Sequence, residues 1–387
     1  MLSLPTHCSQ VVSRLLQHRP ARSSPLCSHA HRELSSRPSE ARASLLLPGK
    51  PAGLKHQRIT RRKPLTLASA AESDPATSAS VRSTSSDKRQ LGIVVTGGTK
   101  GFGYALVREF LCAGDRVVLC GRTEARVAAA VASLLEDFPD AELYGIQCNV
   151  QSAEDMAELA RFSCDQLGTI DRWINNAGVV SEKVPLFEVS TEDIATVCST
   201  NVLGSMLGCR EAILTMRAQA DSPVPVYHVF NFGFSAWGAL FSSSTCSHKA
   251  TKKALAQLTT SLSEELTKAG VTSVGVHNLS PGMVVTDLLL KGSTPVARRF
   301  FNVLAEEAET VAATLAPQVR QVSGTNGSLE YLSLPDAFRR VVTGVPQIIN
   351  GGRFFDKEGN RVPERGAKYQ ENGVRKWYEV PAEEELV

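Results

Sequence analysis

No run of this sequence approaches the ~18 uninterrupted apolar residues that a membrane-spanning helix needs. None of its nine Cys stands in a Cys-x-x-Cys pair, the spacing that metal sites and redox motifs use. Cys112, Cys120, Cys148 and Cys209 sit inside apolar runs, so they read as reduced, buried thiols, and no metal is expected. Acids are almost missing from residues 1–70, where twelve Lys and Arg stand against Glu33 and Glu40, a net of +10. The whole chain carries only +3, so residues 71–387 hold 30 basic and 37 acidic groups, a net of −7. A nucleic-acid surface needs its basic excess on the folded domain, so nucleic acid is excluded as a partner.

What is present divides the chain. Residues 1–87 are rich in Ser, Ala, Arg and Pro, and no secretory apolar core follows the start. That composition predicts an organelle transit peptide over 1–70, and its Ser content leans to the plastid. Cleavage is expected near Ala68–Ala71, with 71–89 a disordered linker. The other reading of this stretch is a merely disordered amino terminus.

From Leu91 the pattern changes. Short β-branched strands at 91–96, 116–120, 143–148, 172–175, 225–231 and 273–278 alternate with helices at about 101–113, 123–137, 152–167, 191–218, 247–269 and 305–316. Alternation of this kind predicts an α/β fold, a doubly wound parallel sheet of Rossmann type, as a single domain over 90–345. Tyr331–Leu334 is a candidate last strand. Residues 346–387 read as a polar C-terminal tail, and nothing is assigned from 352 onward.

Thr96-Gly97-Gly98-Thr99-Lys100-Gly101-Phe102-Gly103 leaves the first strand and opens the first helix. Glycines there let a pyrophosphate approach the helix amino terminus, whose N–H groups favour anions. The second strand ends in Cys120-Gly121-Arg122-Thr123. No acid is present for a ribose 2′-hydroxyl, and Arg122 offers a cation for a 2′-phosphate. Lys100 adds a second cation, so NADPH is expected over NADH.

The glycine loop, Asn175-Asn176-Ala177-Gly178, Asn201 and Ser280-Pro281-Gly282-Met283-Val284-Val285-Thr286 together resemble the short-chain dehydrogenase/reductases. Trp173–Gly178, Val276–Leu290 and Phe300–Glu306 are similar, more narrowly, to the chlorophyll(ide) b reductases of the soluble, non-yellow-coloring-like type. The resemblance implies NADPH-dependent reduction of the C7 formyl group of chlorophyll(ide) b to hydroxymethyl, in the chloroplast and peripheral to the thylakoid membrane. It implies that Asn176, Ala177 and Gly178 line the cofactor, with Asn149 and Val150 beside the adenine. Pro281, Gly282, Met283, Val284 and Thr286 would pass the nicotinamide. Asp is the more familiar residue at position 149.

In that superfamily a Tyr-x-x-x-Lys pair supplies the acid and the Lys that lowers its pKa, a Ser steadies the carbonyl and an Asn anchors a proton relay. Lys252 and Asn201 fit those roles, but the acid position holds His248. An acid at i and a Lys at i+4 project from one helix face. The register Thr245/Lys249 fits the following Lys-Ala-Leu less well. His248 has three readings: a proton-donating imidazolium, a relic in a weakly active cofactor-binding subunit, or a loop histidine with the acid elsewhere. Lys252 nearby should depress its pKa. Ser235 stands 13 residues before His248, the usual spacing, with Ser242–Ser244 as other candidates. Phe232, Phe234, Trp237 and Phe241 read either as a wall for a flat macrocycle or as core. His277 reads as a core or cofactor-side residue.

The substrates in play are therefore chlorophyll(ide) b or another plastid aldehyde or ketone. The expected partners are a second copy of the chain, through the helices at 191–218 and 247–269, or a complex with a membrane-bound homologue and light-harvesting proteins.

Overall fold

The computed structural model describes residues 89–235 and 244–362. The leader, the linker up to 88, Trp237, Phe241, Ser242, Ser243 and the tail beyond 362 lie outside the described residues. All described residues belong to one compact unit, 82–387.

Seven strands form one parallel sheet. They are β1 (Gly92–Thr96), β2 (Arg116–Gly121), β3 (Leu143–Gln147), β4 (Arg172–Asn175), β5 (Tyr227–Phe232), β6 (Val274–Ser280) and a last strand at Ser328–Glu330. The spatial order is β3-β2-β1-β4-β5-β6 followed by Ser328–Glu330, every pairing parallel. β1, β4, β5 and β6 are buried along their whole length. A parallel sheet is covered on both faces, so β1 reads as an apolar run, and the polar residues of β4, β5 and β6, such as Arg172, Asn175, Asn231 and His277, are buried with hydrogen-bond partners.

The helices are α1 (Gly101–Cys112), α2 (Glu124–Asp137), α3 (Ala153–Leu167), α4 (Thr191–Cys198), α5 (Gly204–Arg217) and α6 (Cys246–Lys268). After β6 come a short strand β7 (Met283–Val284), α7 (Asp287–Leu290), α8 (Pro295–Leu304), β8 (Ala305–Glu306), α9 (Ala308–Gln321), the last strand β9 (Ser328–Glu330), α10 (Leu334–Thr343) and α11 (Val345–Asn350). One core layer joins α1, α2 and α9 to the sheet through Leu106, Phe110, Leu134 and Leu315. The other joins α3, α5 and α6 through Met156, Leu159, Met216 and Leu266. The order reverses between β2 and β4 on either side of β1, and ligands bind at such a switch point, beyond the strand carboxyl ends.

Five expectations need correction. The helix expected over 191–218 is interrupted by a π-turn at Ser199–Leu203. The last strand is Ser328–Glu330, paired to β6 through Asn278–Ser280, and not Tyr331–Leu334. The helix expected at 305–316 runs from Ala308 to Gln321 through Pro317, while 295–304 forms a helix of its own. Buried Arg172 donates to the carbonyls of Val319 at 2.9 Å and Arg320 at 2.8 Å, satisfying the end of α9 past the proline. Residues 352–362, read as the start of a polar tail, carry a turn whose Phe354 and Phe355 are buried against Val285, Leu290 and Phe301. Cys112 is exposed, whereas Cys120, Cys148 and Cys209 are buried as expected thiols.

Candidate active site

The glycine loop joins β1 to α1 and has the shape of an anion cradle. Gly97 and Gly101 take φ of 65° and 60°, a region that favours glycine. A Cβ on Gly103 would lie 2.3 Å from Asn176 Nδ2 and 2.4 Å from Gly97 O. Asn176 Nδ2 donates to Thr96 O at 2.9 Å and to Gly97 O at 3.0 Å, and Ala177 N donates to Thr96 Oγ1 at 3.1 Å. The turn that follows β4 therefore holds the loop from behind. Helix α1 has no side-chain cap at Lys100 and no acid in its first turn. Its amino-terminal N–H groups and dipole are left to favour an anion, so these residues fit a pyrophosphate.

Phe102 is buried, and Thr99 packs beside Gly121 at the end of β2. Arg122 is exposed there, with its carbonyl held by Gln147 Nε2 at 2.8 Å. Thr123 is the residue before α2. The exposed Lys100 ammonium pairs with Asp287 at 3.4 Å, where the start of α1 meets the stretch after β7. Val150 is buried against Gly204. Asn149 turns its side chain onto its own loop, accepting from Gln151 N at 3.2 Å. Pro281, Gly282 and Met283 lead from β6 into β7, Val284 is buried, and Thr286 reaches the glycine loop, its Cγ2 lying 3.5 Å from a Cβ placed on Gly101.

Helix α6 brings His248 and Lys252 to one face, as the i, i+4 spacing requires. His248 is buried in the first turn, and its backbone N–H donates to the capping Thr245 Oγ1. Its Nδ1 lies 2.7 Å from Ser244 Oγ, and the Phe234 ring stands edge-on at 5.8 Å. Burial pushes its pKa down to about 3, helped by the charges of Lys252 and Lys183, and the imidazole is neutral at physiological pH. The positive end of α6 acts in the same direction. Lys252 Nζ donates to Phe232 O at 3.0 Å, and burial lowers its pKa to about 8.

Asn201 sits in the π-turn, fully buried. Its Oδ1 accepts from Val179 N at 2.8 Å, while its Nδ2 donates to Val179 O at 3.0 Å and Thr251 Oγ1 at 3.1 Å. A Cβ on Gly178 would lie 3.3 Å from Asn201 Oδ1 and 3.8 Å from Lys252 Nζ. Asn201, Gly178 and Lys252 are thus brought together. Ser235 is buried where β5 ends, its N–H donating to Ser280 Oγ at 3.1 Å. Phe232 is core, packed edge-on to Phe102 at 5.6 Å, so only Phe234 of the described aromatics turns to His248. His277 is a core residue, its Nε2 2.9 Å from His228 Nδ1 and its Nδ1 accepting from Gly327 N at 3.2 Å. Among the described residues no group of three His, Cys, Asp or Glu could hold a metal.

Three site residues escaped the sequence reading. Thr251 holds Asn201, and its position beside Lys252 was the available signal. Ser181 bonds Thr245 at 2.9 Å and Ser247 at 2.7 Å, fixing the start of α6. Lys183, half-buried, reaches from the loop after β4 to Leu289 O at 3.2 Å, where its charge acts on His248.

The short chain dehydrogenase family matches residues 92–294 of this chain. The chain is 42% identical over 275 residues to chlorophyll(ide) b reductase NOL, chloroplastic, of Arabidopsis thaliana, covering 69% of this chain and 76% of that protein. It is 44% identical over 241 residues to the protein of the same name from Oryza sativa subsp. japonica, covering 62% and 68%. Among solved structures, a 3-ketoacyl-(acyl-carrier-protein) reductase from Brucella melitensis complexed with NADH matches with a TM-score of 0.52 at 20% identity, over 62% of this chain and 95% of that one, which shows the shared fold. The parallel seven-stranded sheet, the glycine cradle and these relatives agree: the chain belongs to the short-chain dehydrogenases, in their chlorophyll(ide) b reductase family.

Proposed function

We propose that this chain reduces the C7 formyl group of chlorophyll(ide) b to hydroxymethyl with NADPH, inside the chloroplast. The observation that carries the reading is the convergence of Asn201, Lys252 and His248 beside an uncapped, glycine-lined helix start, in a chain 42% identical to a named chlorophyll(ide) b reductase. Gly97, Gly101 and Gly103 would cradle the pyrophosphate, and Arg122 would meet the 2′-phosphate. When bound, the nicotinamide supplies the hydride.

The residues around the carbonyl then do two things. His248 orients it: we assign the Ser244 hydroxyl as donor to Nδ1, the tautomer in which the neutral ring carries its proton on Nε2 and donates it as a hydrogen bond. A neutral imidazole at a helix amino terminus polarises a carbonyl in this way without becoming an acid. Lys252 holds the positive charge. Below about pH 8 it is an ammonium, and it stabilises negative charge developing on the oxygen, which takes its proton from solvent water. This role for His248 replaces the imidazolium reading, which burial disfavours.

The test is turnover with chlorophyllide b and NADPH, set against a panel of small aldehydes and ketones. Formation of 7-hydroxymethyl product supports the reading. Turnover confined to the small carbonyls would make the protein a plastid reductase of another substrate.

A second reading is favoured by one observation, the neutral His248 at the acid position: a weakly active cofactor-binding subunit that steadies an active reductase. Activity appearing only after His248→Tyr would establish it. Exposed Leu203, Met206 and Leu214, on one side of the π-turn and α5, suit a second copy or a homologous reductase as partner.

A further inference from the structure

Helices α10 and α11 are joined through Gly344 and carry an apolar stripe that nothing in the described domain covers. Leu334, Phe338, Val342, Val345 and Ile349 recur at helical spacing, and all five are exposed, Phe338 at 70% and Ile349 at 61%. The opposite side is packed. Ala337 is buried, and a Cβ on Gly344 would meet Val303 of α8 at 2.5 Å. Helix α8 adds to the stripe: Phe301 and Val303 point inward, while Val296 and Phe300, four residues apart, are exposed. Three adjoining helices therefore present seven large apolar side chains to water. Scattered exposed apolars are ordinary, but a contiguous patch of this kind marks a docking surface.

The charge around the patch selects its partner. Residues 288–304 contain Lys291, Arg298 and Arg299 and no acid, and α10 with α11 add Arg339 and Arg340 against Asp336. Arg339 pairs with Asp336 and Arg340 with Glu306, so with Glu306 counted these stretches carry +3, five bases against two acids, on a chain whose residues 71–387 sum to −7. A second copy docked on the same face would oppose like charges, which is costly. An anionic lipid surface accepts both features, apolar side chains into the acyl boundary and Arg and Lys among the headgroups. The face also adjoins the site, since α8 follows the Pro281–Thr286 stretch and β8 behind it pairs with β7.

We infer that α8, α10 and α11 form a docking face for an anionic bilayer, set beside the entrance to the site so that a lipid-dissolved substrate is presented to His248. The inference deepens the proposed pigment reductase and rests on that reading for its purpose, while its geometry stands apart from it.

The test is co-sedimentation of the full chain with vesicles of phosphatidylcholine alone and with added phosphatidylglycerol. The wild type is expected to bind the anionic vesicles, less so as salt rises. The double substitution Phe338→Asp and Ile349→Asp should weaken that binding about tenfold, and Arg299→Glu should weaken it on anionic vesicles only. The basic leader is common to all these chains, so the difference between them reads the face. NADPH binding and reduction of chlorophyllide b in detergent should stay unchanged in the variants, which also shows that they fold. Equal binding by wild type and double variant would overturn the inference, as would a dimer that the double variant dissociates. Vesicle binding that depends on Phe338 and Ile349 in a protein inert toward chlorophyllide b would uphold the docking face and remove the pigment reading. Turnover of chlorophyllide b without vesicle binding would do the reverse.

Discussion

Ser244 Oγ lies 2.7 Å from His248 Nδ1, and that contact fixes one nitrogen of a buried, neutral imidazole. The other nitrogen, Nε2, is then the one left for a substrate. Replacing Ser244 by Ala removes the constraint on the tautomer. We expect kcat to fall about tenfold, with the Kd for NADPH unchanged, because the hydroxyl touches the histidine and not the cradle. Steady-state kinetics and NADPH fluorescence titration separate the two quantities.

The pH dependence of turnover distinguishes the roles of His248 and Lys252. With the His248 pKa at about 3, kcat/KM should show no inflection near pH 6.5. Lys252 loses its proton near pH 8, so the rate should decline above that pH. A profile that falls as pH rises through 6.5 would instead mean an imidazolium acid.

Cofactor choice should rest on Arg122, which is exposed at the end of β2 where no acid is present. Arg122→Glu should weaken NADPH binding about 100-fold and leave NADH binding within about threefold, since only the 2′-phosphate is lost as a partner. Parallel titrations with the two nucleotides measure this. Equal losses for both would place the 2′-phosphate elsewhere.

Acid should destabilise the fold through three buried histidines. Burial first, then the charge of Arg172, pushes His228 to about 3 and His277 to about 4, and His248 lies at about 3. Unfolded, each titrates near its ordinary value of about 6.5. The unfolded chain therefore binds more protons in the window from 6.5 down to about 4 for His277 and about 3 for His228 and His248, and stability is full above 6.5 and lost as pH falls through that window. Each such imidazole costs about 2 kcal/mol over the first two pH units below 6.5. Urea unfolding at pH 7 and pH 5 should show the loss, and His228→Gln should flatten it.

Phe354 anchors the segment after α11. It is buried with Phe355 against Phe301 and Leu290, and the Arg353 guanidinium stacks on its ring at 4.6 Å. Phe354→Ala should cost about 3 kcal/mol by leaving a cavity beside the Val285–Leu290 stretch. Proteolysis within 345–362 should then accelerate, while hydrogen exchange in β1 and β2 stays unchanged.

The sheet was legible because short strand segments alternate with helical ones, although buried Arg172, Asn175, Asn231 and His277 interrupt the apolar pattern of β4, β5 and β6. The glycine cradle was legible because only glycine tolerates its backbone, as at Gly97 and Gly101. The π-turn that presents Asn201 was not legible, since Ser199–Leu203 continues the helical pattern on either side and differs only in hydrogen-bond register. The pairing of Lys100 with Asp287 was not legible, since the two stand 187 positions apart and only the fold brings them near. Phe354 and Phe355 sit in a polar stretch whose Arg residues stack on them, so hydropathy concealed a small core. The neutrality of His248 needed both its burial and the nearness of Lys183, which a linear pattern does not contain.

The central claim is that this chain delivers hydride to the C7 formyl carbon of chlorophyll(ide) b while His248 stays neutral. A single-turnover reaction of the protein with chlorophyllide b and C4-deuterated NADPH tests it most directly. The account predicts 7-hydroxymethyl chlorophyllide a bearing one deuterium on the former formyl carbon, formed at equal rates at pH 6 and pH 7.5. Tight NADPH binding with no deuterated product at either pH would contradict it.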